Sequence, residues 1–108
     1  MNKHAFKSKP PTIADLRTKR DEILRIAASH DAQNVRVFGS IARGDAIASS
    51  DVNILVDIVT DVDGFEYFGL VEDLRRDLEV LLGRDVHIVD SSALSSRRDR
   101  VLSEAVPL

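Results

Sequence analysis

The run Asp51-Val52-Asn53-Ile54-Leu55-Val56-Asp57-Ile58-Val59 constrains the fold of this chain more than any other segment. Side chains alternate across a strand, so Val52, Ile54, Val56 and Ile58 share one face, while Asp51, Asn53, Leu55 and Asp57 share the other. β-Branched residues all along one face predict a strand laid against a core. An interior strand whose second face opens with polar groups points to a site at that end.

Other elements must cover this strand. From Gly64 to Leu82 the residues Tyr67, Leu70, Val71, Leu74, Leu78, Leu81 and Leu82 recur at helical spacing and predict an amphipathic helix, with Gly83 suited to its C-terminal cap. That stripe is core first; any part a small domain leaves uncovered is where a partner or a second copy would dock. Asp85-Val86-His87-Ile88-Val89 reads as another strand, and a last helix runs from about Ala93 or Ser96 to Ala105, stopped by Pro107. Upstream, Thr12 and Asp15 have the form of a capping box opening a helix that ends near Ser29-His30. Val35-Arg36-Val37-Phe38 is a short strand cut off by Gly39-Ser40, followed by one helical turn, Ile41-Ala42-Arg43, and a loop from Asp45 to Ser50. The expected architecture is therefore α/β, a small three-stranded sheet packed with about four helices. With 108 residues there is room for one domain, expected over 12–108 behind a flexible tail of residues 1–11.

Fifteen Lys and Arg against 18 Asp and Glu leave a net charge of -3, which argues against a broad electrostatic grip on DNA or RNA. A small phosphate ligand needs only local charge and stays open. The absence of cysteine excludes disulfides, thiol catalysis, iron–sulfur clusters and cysteine-rich zinc sites. The basic N-terminus has no apolar stretch behind it and no apolar run is long enough to span a bilayer, so no membrane association and a cytoplasmic location are expected.

Gly39-Ser40 lies between a strand and a helical turn, where a residue without Cβ lets an anion approach backbone N–H groups and Ser40 adds a hydroxyl. A Gly-Ser turn alone is weak evidence. The continuation Gly39-Ser40-Ile41-Ala42-Arg43-Gly44-Asp45 is more specific, with ten residues separating Ser40 from Asp51-Val52-Asn53. It resembles the signature of the nucleotidyltransferase superfamily that includes DNA polymerase beta, Gly-Ser followed at about this distance by Asp-x-Asp. Motif order and chain length are most similar to the minimal nucleotidyltransferase (MNT) branch, short chains that serve as antitoxins beside a HEPN-domain ribonuclease toxin.

The resemblance implies a mixed sheet packed with helices and Mg²⁺-dependent transfer of AMP from ATP to a hydroxyl of the toxin, in a hetero-oligomer with it. It places Gly39, Ser40 and Arg43 at the nucleotide phosphates and metal ligands at Asp51 and Asn53. Asp51, Asn53 and His87 fall at the three catalytic carboxylate positions. In such a site, carboxylates two residues apart on a strand and a third on a neighbour hold two Mg²⁺ ions, which neutralise the triphosphate and align the attacking hydroxyl.

Two of those three carboxylates are missing. Asn53 offers a carbonyl oxygen without charge, and the imidazole of His87 suits Zn²⁺ better than hard Mg²⁺. Three accounts are open: a natural pseudoenzyme that neutralises a partner by binding alone, a deliberately inactivated chain, or a substitute ligand among Asp57, Asp85 and Asp90. Plainer readings stand beside these. Arg43 can be a solvated loop residue, Asp51 a turn cap, and Asn53 and His87 ordinary polar residues on a sheet face. Asp61, Asp63 and Gly64 form a turn rather than a calcium loop, because no Glu follows at the twelfth position. Arg97, Arg98 and Arg100 read as a solvated helix face, and His4 and His30 carry no assigned role.

Overall fold

The computed structural model describes residues 9–96 and 98–108; His4, Arg97 and the first part of the expected tail lie outside the described residues. Five α-helices appear among the described residues: α1 (Ile13–Arg17), α2 (Arg20–Ser29), α3 (Ser40–Arg43), α4 (Gly64–Leu82) and α5 (Arg98–Glu104). The strands among the described residues are β1 (Ala32–Phe38), β2 (Val52–Ile58), β3 (Val86–Asp90) and β4 (Val106–Pro107). The α/β architecture is as the patterning predicts.

The Thr12–Asp15 capping box forms in both directions: the Asp15 N–H donates to the Thr12 hydroxyl at 3.1 Å and the Thr12 N–H to the Asp15 carboxylate at 3.0 Å. The single helix expected from there to Ser29 is interrupted. The Thr18 hydroxyl donates to the Asp15 carbonyl at 2.6 Å, and Lys19 leaves helical geometry at φ -112°, ψ 18°. This is the local competition by which Thr unsettles a helix interior. Lys9 and Pro11 are tied to the domain, since Pro11 is buried and the Lys9 carbonyl accepts from Arg84 at 2.7 Å.

The sheet has the order β3-β2-β1-β4, one strand more than expected. β1 runs antiparallel to β2, and β2 parallel to β3, which requires the long crossover that α4 supplies. The added strand is short: Val37 pairs with Val106 and Arg36 with Pro107. Pro107 thus does more than stop a helix. Lacking an N–H, it sits at a sheet edge, where no further strand asks for one. The last helix covers Arg98–Glu104 among the described residues and follows a 3-10 turn over Ser91–Ala93.

The sheet buries two unequal faces. Val37, Val52, Ile54 and Val56 join Ile23 and Ala27 of α2 and Leu74 and Leu78 of α4 in the main core, and Ile58 packs at its margin. Full burial of each such aliphatic side chain contributes about 1.5–3 kcal/mol. On the opposite face Phe38, Leu55 and Val101 make a smaller cluster with Val89, Leu94, Leu102 and Ala105 around it. Asp90 is buried beside α4, where its carboxylate accepts from the Tyr67 hydroxyl at 2.6 Å. Burial first, and Asp90 second, push the Tyr67 phenol up to about 12. No helix among the described residues is long and apolar enough to cross a membrane.

Candidate functional site

At one end of the smaller face a single row crosses the sheet. Phe38 is paired with Asn53, and Asn53 with His87. Neighbouring strands lie about 4.8 Å apart, so the three side chains stand side by side on one surface. β1 passes from Phe38 into Gly39, which adopts φ 79°, ψ -153°, a region essentially reserved for glycine. The backbone there runs close over β2, and a Cβ on Gly39 would collide with the Asn53 amide nitrogen. The conformation requires glycine at this turn, and any side chain there would also have to displace the Asn53 amide.

Ser40 and Arg43 follow on α3, and with Phe38, Gly39 and Asn53 they line a cavity of about 290 Å³. Its far wall is α5, through Arg100, Val101 and Glu104. Motif spacing does not reach those three; Arg100 is exposed, as a solvated helix face predicts, and the return of α5 over β1 brings it to the edge of the cavity. Glu104 accepts from the Arg43 guanidinium at 3.2 Å and lies 3.8 Å from Arg100. Asp45 also accepts from Arg43 at 3.2 Å. Asp45 above all, with Glu104, holds the Arg43 guanidinium above its usual range. Arg43 is thus neither a free loop cation nor an open phosphate ligand: an entering anion would have to share it with these two carboxylates.

Asp51 lies just before β2, exposed, and lines a separate hollow of about 200 Å³ with Ser49, Ser50, Arg84 and Asp85. His87 is exposed and does not line the larger cavity. Gly39, Ser40, Arg43 and Asn53 are therefore brought together, whereas Asp51 and His87 stand outside that group.

Two of the possible substitute ligands are committed elsewhere. Asp57 accepts from the Ser91 hydroxyl at 2.5 Å, from Asn34 at 3.0 Å and from Arg36 at 2.7 Å. Those partners, Ser91 first, hold its carboxyl below the usual range. Asp90 accepts from Tyr67 and from the backbone N–H groups of Ile58 and Ser92. Asp85 shares the hollow of Asp51, but no third metal-ligating side chain joins them: among the described residues no three of His, Cys, Asp and Glu gather as a metal site would require. An amide, an imidazole and one exposed carboxylate do not fit a pair of Mg²⁺ ions, which need several hard anionic oxygens at about 2.1 Å.

Residues 20–107 match the nucleotidyltransferase domain family. A protein of Methanocaldococcus jannaschii, provisionally named a protein adenylyltransferase, is 33% identical over 86 residues, which cover 79% of this chain and 88% of that one. A solved structure provisionally described as a minimal nucleotidyltransferase superposes with a TM-score of 0.76 at 39% identity, over 91% of this chain and 97% of that chain. A crystal structure of a toxin-antitoxin with AMP-PNP shares the fold, with a TM-score of 0.64 at 21% identity, over 81% of this chain and 69% of that chain.

Proposed function

The chain belongs to the nucleotidyltransferase domain family, as a minimal, MNT-type member, and from that premise we propose that it is an antitoxin that neutralises a HEPN-type ribonuclease toxin by contact, without Mg²⁺-dependent transfer of AMP. One observation carries the reading: the row Phe38–Asn53–His87 holds no carboxylate where the family's transfer chemistry needs two, and Asp51 stands exposed outside the cavity. Removing two negative charges from a site that must collect two divalent cations and a triphosphate takes away most of the attraction that holds the metals.

The phosphate-facing residues Gly39, Ser40 and Arg43 persist as the remnant of a nucleotide pocket in this reading. What they do is bounded by their own chemistry. Ser40 can donate to a phosphate oxygen, and Arg43 can reach one only by sharing its guanidinium with Glu104 and Asp45. The toxin class rests on the MNT resemblance, and a toxin-antitoxin of the same fold supports that direction.

A direct test mixes the chain and its partner toxin with Mg²⁺ and ATP labelled on the α-phosphate, beside an Asn53→Asp/His87→Asp variant. The expected result is neutralisation of the toxin with no label on it, and tighter Mg²⁺-dependent ATP binding by the variant in calorimetry. Label on the toxin with the unaltered chain, lost in Asp51→Ala, would establish AMP transfer and overturn the contact reading.

A further inference from the structure

The N-terminal half of α4 carries a feature that neither the core nor the cavity uses. Phe65 is 97% exposed and Phe68 67% exposed. They and Gly64 form an open apolar patch on the surface. The leucine stripe of the same helix turns the other way, with Leu74 and Leu78 fully buried. Two phenyl rings left in water on one helical turn cost hydrophobic free energy that a covering surface would recover.

The charge around the rings is one-sided. From Val59 to Val71 the chain has Asp61, Asp63 and Glu66 and no Lys or Arg; the next basic residues, Arg75 and Arg76, pair with Glu72 and Asp73 farther along the helix. Asp61, Asp63 and Glu66 directly flank the rings in sequence and are exposed. Glu66 in the first turn complements the helix dipole, but that accounts neither for Asp61, which lies outside the helix, nor for the exposed phenyl groups.

We propose that this patch docks a protein surface with an apolar centre and a rim of Lys and Arg, for which an amphipathic basic helix is the simplest form. The proposal builds on the contact reading by naming the surface and its partner's chemistry. A symmetric second copy fits poorly, because pairing the patch with itself would face Asp61, Asp63 and Glu66 against their own copies. A basic rim removes that repulsion and speeds encounter, while the two rings act as central anchors.

The test uses the full chain, isotopically labelled, and an amphipathic helical peptide of leucine and lysine, followed by NMR. The proposal expects shifts concentrated in residues 61–70 and binding that weakens as salt is raised. Phe65→Ser/Phe68→Ser should weaken binding by about tenfold or more. These exposed positions can change without unfolding the chain, and unchanged spectra elsewhere would confirm that. Asp61→Asn/Asp63→Asn/Glu66→Gln should weaken binding and flatten its salt dependence, while Val80→Ser, equally exposed on the same helix, should leave it unchanged. Shifts centred on the Gly39–Arg43 cavity, or no peptide binding, would overturn the proposal while leaving the ATP-labelling result untouched. So would concentration-dependent shifts at residues 61–70 without peptide, which would identify a second copy as the occupant, or binding of those residues to phosphatidylcholine vesicles alone.

Discussion

The two faces of the sheet do different work with the same strands. On the main face β2 presents Val52, Ile54 and Val56, each fully buried against α2 and α4. On the other face the same strand presents Asn53, Leu55 and Asp57, of which only Leu55 is fully buried. Asn53 sits against Gly39 at one end and Asp57 is held by Ser91, Asn34 and Arg36 at the other. A face sealed by apolar packing can hold the fold, leaving the partly covered face free to present polar groups. Changes among the polar groups of the second face then leave the domain standing.

The sharpest way to break this contrast is to cut into each face in turn. Ile54→Ala on the main face removes a fully buried side chain and should cost about 2–5 kcal/mol in denaturant unfolding. If it costs no more than a surface change, the main face is not what holds the domain. Gly39→Ala on the site face should cost less, about 1–3 kcal/mol, from backbone strain and the collision with Asn53. Shortening the neighbour by Asn53→Ala should restore part of that loss, and strictly additive effects would show that the two residues do not touch.

A smaller effect sharpens the comparison at the far end, where Tyr67 closes the main face over Asp90. Tyr67 is the single tyrosine, so its ionisation can be followed by absorbance alone. Its folded value near 12 lies above the ordinary 10.0. The unfolded chain therefore ionises first as pH rises, and the stabilisation present below pH 10 should be lost progressively up to about 12. Tyr67→Phe should abolish that alkaline loss and cost about 1–2 kcal/mol at neutral pH, because a buried carboxylate loses a donor. A tyrosine midpoint near 10 would show the hydroxyl free of Asp90.

The strand over Val52–Ile58, the division of its faces, the long helix and the Thr12 capping box were legible because each is written in local periodicity or in a single cap. The break at Thr18 and the short β4 were not. Each turns on one hydroxyl or one edge pairing, too small to register in an apolar pattern. The candidate site divides along the same line. Gly39, Ser40, Arg43 and Asn53 could be grouped from motif spacing, and they do share a cavity. Arg100 and Glu104 could not, since nothing near them in sequence announces that α5 returns across β1.

What the sequence alone determined was the inventory: which strand had a polar second face, which turn needed glycine, and that an amide and an imidazole stand at positions 53 and 87. Side-chain alternation and residue identity settle those points before any packing is known. What only the tertiary structure decided was company. It set Phe38, Asn53 and His87 in one row, gave Arg43 to Glu104, committed Asp57 and Asp90 elsewhere, and left Phe65 and Phe68 in water. Those outcomes depend on contacts between residues far apart in the chain, and such contacts follow from how helices and strands pack rather than from any local pattern.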